Sequence, residues 1–181
     1  MSVQIVPTLA VGLALGLLMA AAWNDLALRV IPDQLCVLLA ILGVAFRLHS
    51  GWIELTFSVF TSLLLFFLLF VLFTRGIVGG GDVKLAVAVA LWLSPPDCYM
   101  FLVATALAGG ALGLVHLVLR KVLAPALAAG PPTAGRLAHP RHVGLRIMRV
   151  ELKRIAARQP LPYGVALAAG GGYTLLRTLG G

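Results

Sequence analysis

Hydrophobic residues occupy this chain in long runs with few polar interruptions. The first run extends from Ile5 to Trp23, and another extends from about Trp52 to Phe73. Runs of about 20 apolar residues have the length at which an α-helix crosses the hydrocarbon core of a bilayer. The pattern therefore predicts an all-α, polytopic membrane protein.

Turn-forming and charged residues divide the chain into six predicted transmembrane helices. Pro32 pushes Ile31 out of the helical region, so the first helix is expected to stop before it. A glycine-rich turn is predicted at 74–81, and Pro95 and Pro96 are expected to break the chain again. The six spans are predicted at about 5–23, 35–48, 52–73, 82–94, 98–119 and 162–176. Together they form a single membrane-embedded domain over residues 1–181, with no large soluble domain.

Composition supports this interpretation and limits the partners. Of the residues, 61% are hydrophobic, and only 20 of 181 are charged, which excludes an ordinary soluble domain. The net charge of +8 does not indicate nucleic acid, because nine of the 14 Lys and Arg lie between Arg120 and Arg158. That stretch is a predicted loop at about 120–160, where the basic residues act as a topology signal beside anionic lipid headgroups.

The same charges predict the orientation. Twelve of the 14 basic residues are cytoplasmic if the loops at 24–33, 74–84 and 120–158 face inward, and only Arg47 and Arg177 then lie outside. Both termini are therefore expected to be periplasmic. Within the basic loop we predict a flexible part at 124–140 and an amphipathic surface helix at 144–158.

Two of the six acidic residues, Asp25 and Asp82, are predicted at span ends on the same face of the membrane. A carboxylate near a membrane span is costly, which makes it a functional-site hypothesis. Two close carboxylates share a proton, so one acts as general base toward water and the other as general acid, without a metal or another cofactor. Helix polarity favours Asp82, at a helix N-terminus, as the anion over Asp25, although Arg29 opposes this assignment.

Structural roles without catalysis are possible for each of these residues. Asp82 could cap a helix N-terminus, and Asp25 could pair with Arg29. Lys84 is interpreted first as a snorkelling anchor at the cytoplasmic surface. Gly79, Gly80 and Gly81 have no side chains and would let a substrate strand approach Asp82.

Three segments carry a family resemblance, in the order Asp25 with Arg29-Val30-Ile31-Pro32, then Gly79-Gly80-Gly81-Asp82-Val83-Lys84-Leu85, then Pro162-Tyr163-Gly164. In this order and spacing the chain resembles the prepilin peptidases, which are membrane aspartic peptidases of the GxGD type. The resemblance implies that Asp25 and Asp82 are catalytic and that Gly79 and Gly81 support the second aspartate. Its small size is similar to the short peptidases of Flp-type tight-adherence pilus systems.

The resemblance further implies cleavage of a basic leader from prepilin or pseudopilin substrates at the cytoplasmic face of a bacterial inner membrane. A substrate glutamate just after the cut could be attracted to Lys84 or Arg29. N-methyltransferase activity is not expected, because the chain lacks the paired CxxC motifs of the bifunctional enzymes. Asp33 also stands where the family usually has Asn.

Two further classes of protein stay open at this point. One is a catalytically inactive membrane protein of pilus or secretion assembly, against which both aspartates and the glycines argue. The other is a proton-coupled transporter with Asp25 and Asp82 as relays, which would need more polar residues deep in its spans. A presenilin-like peptidase fits less well, because it would carry its first aspartate within a span after a tyrosine.

Overall fold

The computed structural model describes residues 5–128 and 163–180, and all regular structure in these two ranges is helical. This confirms the prediction of an all-α protein. The helices of the described part are α1 (Ile5–Leu28), α2 (Asp33–Ser50), α3 (Trp52–Thr74), α4 (Gly80–Ala90), α5 (Pro95–Ala128) and α6 (Tyr163–Gly180).

Four helices of the described part are long and apolar enough to cross a membrane: Pro7–Leu28, Asp33–Ser50, Trp52–Thr74 and Pro95–Leu119. Helix α4 differs, because its 11 residues rise only about 16 Å against a hydrocarbon core of about 30 Å. Most residues of α4 are buried, namely Val83, Leu85, Ala86, Ala88, Val89 and Ala90, whereas Lys84 and Val87 are more exposed. Helix α4 is therefore a short, mostly buried helix that is not among those long enough to cross a membrane.

Several helix boundaries differ from those predicted. Helix α1 continues to Leu28, so Asp25 lies within its last turn. The two prolines begin α5 at Pro95 instead of following a longer α4, which agrees with the tolerance of proline in a first helical turn. Helix α5 also extends to Ala128, into the stretch predicted as a flexible loop. The rest of the loop and the predicted surface helix at 144–158 lie outside the described residues.

By its contacts the chain divides into two units. The first contains Met1–Gly109 and Tyr163–Gly181, and the second contains Gly110–Pro162. In the first unit α1 packs most extensively against α6, and α4 packs against α2, α3 and α6. In the second unit the described residues are those at the end of α5. Asp25 on α1 and Asp82 on α4 therefore belong to the same unit.

Trp92 fixes the end of α4 to α2. Its indole Nε1–H donates a hydrogen bond to the carbonyl oxygen of Leu39 (2.9 Å), and its ring stacks on Phe46 with the centroids 5.2 Å apart. Gly43 lies beneath the ring, where an added Cβ would be 2.7 Å from Trp92 Cδ1. Because the indole is 1% exposed and its N–H is satisfied, this contact anchors α4 on the side away from its N-terminus.

Candidate active site

Asp25 is buried in the last turn of α1, with 6% of the residue exposed. The backbone N–H of Gly164 donates a hydrogen bond to its carboxylate, with N to Oδ2 at 2.8 Å. Gly164 is the second residue of α6, so its N–H belongs to the first turn and has no acceptor within that helix. The first turn of α6 thus supplies a donor to a carboxylate on α1.

The approach of α6 to Asp25 requires a glycine at position 164. A Cβ added there would lie 2.8 Å from Oδ2 and 3.0 Å from Cβ of Asp25. Real Cβ atoms do not approach other atoms this closely, so any side chain at this position would displace the aspartate or the helix. The glycine of the predicted Pro-Tyr-Gly segment therefore has a physical explanation that the sequence did not provide.

Asp82 is the third residue of α4, and its carboxyl turns back toward Gly79, which precedes the helix. A Cβ on Gly79 would lie 2.9 Å from Asp82 Oδ2, and the Gly79 backbone forms a hydrogen bond with this carboxyl. An acidic side chain that reaches back from the third helical position to the N-cap residue is one half of a capping box. The capping role suggested for Asp82 by the sequence is thus present in the site.

The ionisation of Asp82 is linked to that of Asp25. Helix α4 is not among the spans long enough to cross the membrane, and Asp82 lies in its first turn. Burial, and after it the negative charge of Asp25, raise the pKa of the Asp82 carboxyl to about 6, while the hydrogen bond with the Gly79 backbone acts in the opposite direction. The structure therefore brings the two predicted aspartates together as interacting groups of one site.

The other two glycines of the turn contact different neighbours. A Cβ on Gly81 would lie 3.3 Å from Cβ of Ile31, and one on Gly80 would lie 3.3 Å from the ring of Phe73. Ile31 is 7% exposed and lies in the connection after α1, so it packs the segment that follows Asp25 against the turn that precedes Asp82. The sequence indicated Ile31 only as a helix stop and as part of the family motif; nothing in it distinguished the packing role of Ile31 from that of the neighbouring Val30.

Arg29 ends α1 in a left-handed backbone conformation, with φ at 59°. This conformation is uncommon for residues other than glycine, and such residues cluster at functional sites. The backbone N–H of Arg29 donates to the carbonyl oxygen of Asp25 (2.9 Å), which places Arg29 one turn after the aspartate. The chain is thus turned sharply just beyond Asp25.

Lys84 lies on the first part of α4 and is held by an acidic partner. Its Nζ is 2.8 Å from both carboxylate oxygens of Asp33, which begins α2. Both side chains are more than half exposed, so the ion pair lies at the surface. The structure therefore places the predicted substrate contact Lys84 in an ion pair with Asp33.

The third predicted segment is only partly described. Tyr163 begins α6 and is 48% exposed, and Gly164 follows it against Asp25. Pro162 lies outside the described residues. In residues 5–128 and 163–180, no three His, Cys, Asp or Glu side chains lie together as metal ligands would.

Long apolar helices and a pair of interacting aspartates at helix ends define a membrane protein with a paired-carboxylate site. A family model described as the type IV leader peptidase family matches residues 12–114, more than half of the chain. The chain belongs to the type IV leader peptidase family, as its motifs predicted, and this membership supports a peptidase activity. Neither the comparison with curated proteins nor the comparison with solved structures gives a match.

Proposed function

We propose that this protein is an aspartic endopeptidase that removes the leader peptide from type IV prepilins or pseudopilins of the Flp type. Family membership supports the peptidase class. The electrostatic interaction between Asp25 and Asp82 is the observation that supports aspartic chemistry most directly, because two coupled carboxylates provide an acid and a base at one site.

The proposed reaction is hydrolysis of one peptide bond. One carboxylate accepts a proton from water while the water oxygen bonds to the carbonyl carbon. The C–N bond then breaks, and the protonated carboxyl group gives its proton to the leaving amine. The pair begins with one proton and ends with one proton on the other aspartate, so exchange with water restores the starting state.

The proposed location is a bacterial inner membrane, with the site at the cytoplasmic face and both termini in the periplasm. The distribution of Lys and Arg supports this orientation. Anionic headgroups are the proposed partners of the basic loop at about 120–160. A basic leader would be attracted to lipid headgroups and to acidic residues such as Asp33, whose side chain is 69% exposed.

Co-expression with candidate precursors tests this proposal. Cells that produce a Flp-type prepilin alone are compared with cells that also produce the peptidase, and the mass and new N-terminus of the membrane-associated prepilin are measured. We expect a single cut at the end of the basic leader. A precursor that stays uncut, with the protein abundant in the membrane, would instead favour an inactive assembly protein or a proton-coupled transporter.

A further inference from the structure

We infer that a groove between α2 and α4 binds a phospholipid with a phosphoethanolamine headgroup, with Lys84 on the phosphate and Asp33 on the ammonium group. The inference goes beyond the proposed function, because it assigns a ligand to a surface other than the paired aspartates.

The groove follows one face of each of two neighbouring helices. On α2 it is lined by Asp33, Cys36 and Ala40, and on α4 by Lys84, Ala88 and Leu91. Residues at these spacings of three and four lie on a single helix face. The Lys84–Asp33 contact near the start of both helices and the Trp92–Leu39 contact further along show that α2 and α4 run in the same direction. The groove is therefore about 10 Å long, and its volume is about 310 Å³.

The groove opens toward lipid. Val37 of α2 and Phe66 of α3 also line it, and these side chains are 57% and 37% exposed. Both belong to helices that are long and apolar enough to cross a membrane. Apart from Lys84 and Asp33, the lining consists of apolar side chains and the thiol of Cys36. The groove thus has the polarity of a phospholipid, with charged groups at one end and hydrocarbon walls along the rest.

The charged end of the groove determines which headgroup fits. Lys84 Nζ is 2.8 Å from both carboxylate oxygens of Asp33, so the two residues together have no net charge. Their side chains are 55% and 69% exposed, and an ion pair this exposed is weak, so both groups can turn toward a ligand.

A headgroup that carries both charges is complementary to this pair. Its phosphate accepts hydrogen bonds from the Lys84 ammonium group, and its primary ammonium group donates to the Asp33 carboxylate. An anionic headgroup such as that of phosphatidylglycerol would meet the Asp33 carboxylate without a cation between them. The quaternary ammonium group of phosphatidylcholine has no N–H to donate.

The position of the groove on α4 favours a lipid over the substrate as its occupant. Lys84 follows Asp82 by two residues, and successive residues of an α-helix are rotated by about 100°, so the two side chains leave α4 on nearly opposite sides. Asp82 interacts with Asp25, whereas Lys84 lies against the start of α2. A membrane lipid reaches this side of α4 directly from the bilayer.

Native mass spectrometry of the purified protein tests the headgroup preference. The delipidated protein is titrated in detergent with phosphatidylethanolamine, phosphatidylcholine or phosphatidylglycerol of identical acyl chains, and binding of the first lipid is quantified. We expect phosphatidylethanolamine to bind severalfold more tightly than the other two. Asp33→Asn should remove this preference, and Lys84→Gln should weaken the binding of all three lipids, because each has a phosphate.

Photocrosslinking locates the bound lipid. The protein is placed in phosphatidylethanolamine vesicles that contain a trace of the same lipid with a diazirine in its acyl chain, and the labelled peptides are identified. We expect the label on α2 and α4, and Ala40→Phe, which fills the inner end of the groove, should reduce it severalfold. The matched control is Ala108→Phe in a groove of about 390 Å³ between α5 and α6, whose lining residues in the described part of the chain are uncharged. This variant should keep the label on α2 and α4.

Equal affinities for the three lipids, or a preference that survives Asp33→Asn, would overturn the inference. A label spread evenly over the lipid-facing helices would also overturn it, because it would indicate bulk lipid only. Loss of the label when an uncut prepilin is added in equal amount would assign the groove to the substrate instead. None of these results depends on cleavage, so a protein that selects phosphatidylethanolamine and cuts no prepilin would contradict the proposed function alone.

Discussion

The backbone N–H of Gly164 and the carboxylate of Asp25 are joined by a 2.8 Å hydrogen bond across 139 positions of sequence. The bond links the first turn of α6 to the last turn of α1, the two helices that pack most extensively in their unit. Any change that moves α6 relative to α1 therefore moves Asp25 as well.

Gly164→Ala is expected to lower prepilin processing by about 10²-fold, because displacing a catalytic group by about 1 Å can lower a reaction rate by this factor. The added Cβ would lie 2.8 Å from Asp25 Oδ2. Initial rates of cleavage by equal amounts of purified protein measure the effect. Gly172→Ala, on the same helix, should keep a rate close to that of the wild type, because its added Cβ meets Leu15 at an ordinary 3.4 Å. Equal rates in all three proteins would contradict the role of Gly164.

Gly79 and Gly80, the first two of the three glycines before Asp82, are expected to respond unequally to alanine. Gly79→Ala places a methyl group 2.9 Å from Asp82 Oδ2, so we expect a large loss of activity. Gly80→Ala contacts the outer edge of the Phe73 ring at 3.3 Å, and that side chain is 44% exposed and has room to move. Gly80→Ala should therefore keep most of the activity. A larger loss of cleavage activity in Gly80→Ala than in Gly79→Ala would show that the Gly79 contact is unimportant.

Stability should depend on pH through Asp82. Its pKa is about 6 in the folded protein and 3.8 when unperturbed, so the folded state binds more protons between these values. This contribution to stability is complete below about pH 4 and is lost as the pH rises through about 6. Asp82→Asn cannot ionise and should avoid the loss.

Thermal unfolding in detergent checks this sign. We expect the Tm of Asp82→Asn to rise relative to the wild type by a few degrees between about pH 4 and about pH 7, with solvent screening of the partly exposed carboxyl reducing the effect. Gly172→Ala, which changes no ionisable group, should follow the wild type. A wild-type Tm that rises relative to Asp82→Asn over this range would contradict the prediction.

The ion pair between Lys84 and Asp33 predicts how substrate charge is recognised. If Lys84 attracts an acidic residue just after the cut, Asp33 competes for the same ammonium group. Asp33→Asn should then lower the KM for an acidic substrate severalfold, and Lys84→Ala should raise it. For a neutral substrate, we expect the same KM in both variants as in the wild type. The pair itself contributes at most about 1 kcal/mol, because both side chains are largely exposed. KM values that do not depend on substrate charge would exclude this contact.

A substitution at Gly43 tests how tightly the core is packed away from the aspartates. Gly43→Ala would place a methyl group 2.7 Å from the buried ring of Trp92, and such overpacking costs about 1–3 kcal/mol. We expect a Tm several degrees below that of the wild type. Gly12→Ala is the control, because no atom lies within 4 Å of its added Cβ. Equal Tm values for the two variants would mean that the Trp92 contact is not rigid.

Sequence alone predicted the helical class and the pairing of Asp25 with Asp82, since apolar runs and isolated charges between them are strong signals. It did not predict the end of α1 at Leu28, because the left-handed turn at Arg29 has no glycine or asparagine to indicate it. It also predicted a span at about 82–94, whereas α4 ends at Ala90 and has only 11 residues.

The contacts that hold each aspartate in place could not be predicted from the sequence, for a different reason. The Gly164 donor and the Ile31 contact join segments that are distant or irregular, and a hydrogen bond of this kind leaves no periodic pattern. Helix polarity considered one helix at a time favoured Asp82 as the anion. The structure adds the first turn of a second helix, α6, at Asp25, and nothing in the sequence indicated this contact.

The most direct test of the account is cleavage of a purified prepilin by the wild type, Asp25→Asn and Asp82→Asn at equal concentrations, with the product measured by mass. Glu54→Gln is the matched control, since it removes a half-exposed acidic residue in the first turn of α3, at the other end of that helix from Phe73, which contacts Gly80. We predict that processing is lost in the first two variants and kept in the third. Processing that survives either Asp25→Asn or Asp82→Asn would contradict the assignment of these two residues as the catalytic aspartates.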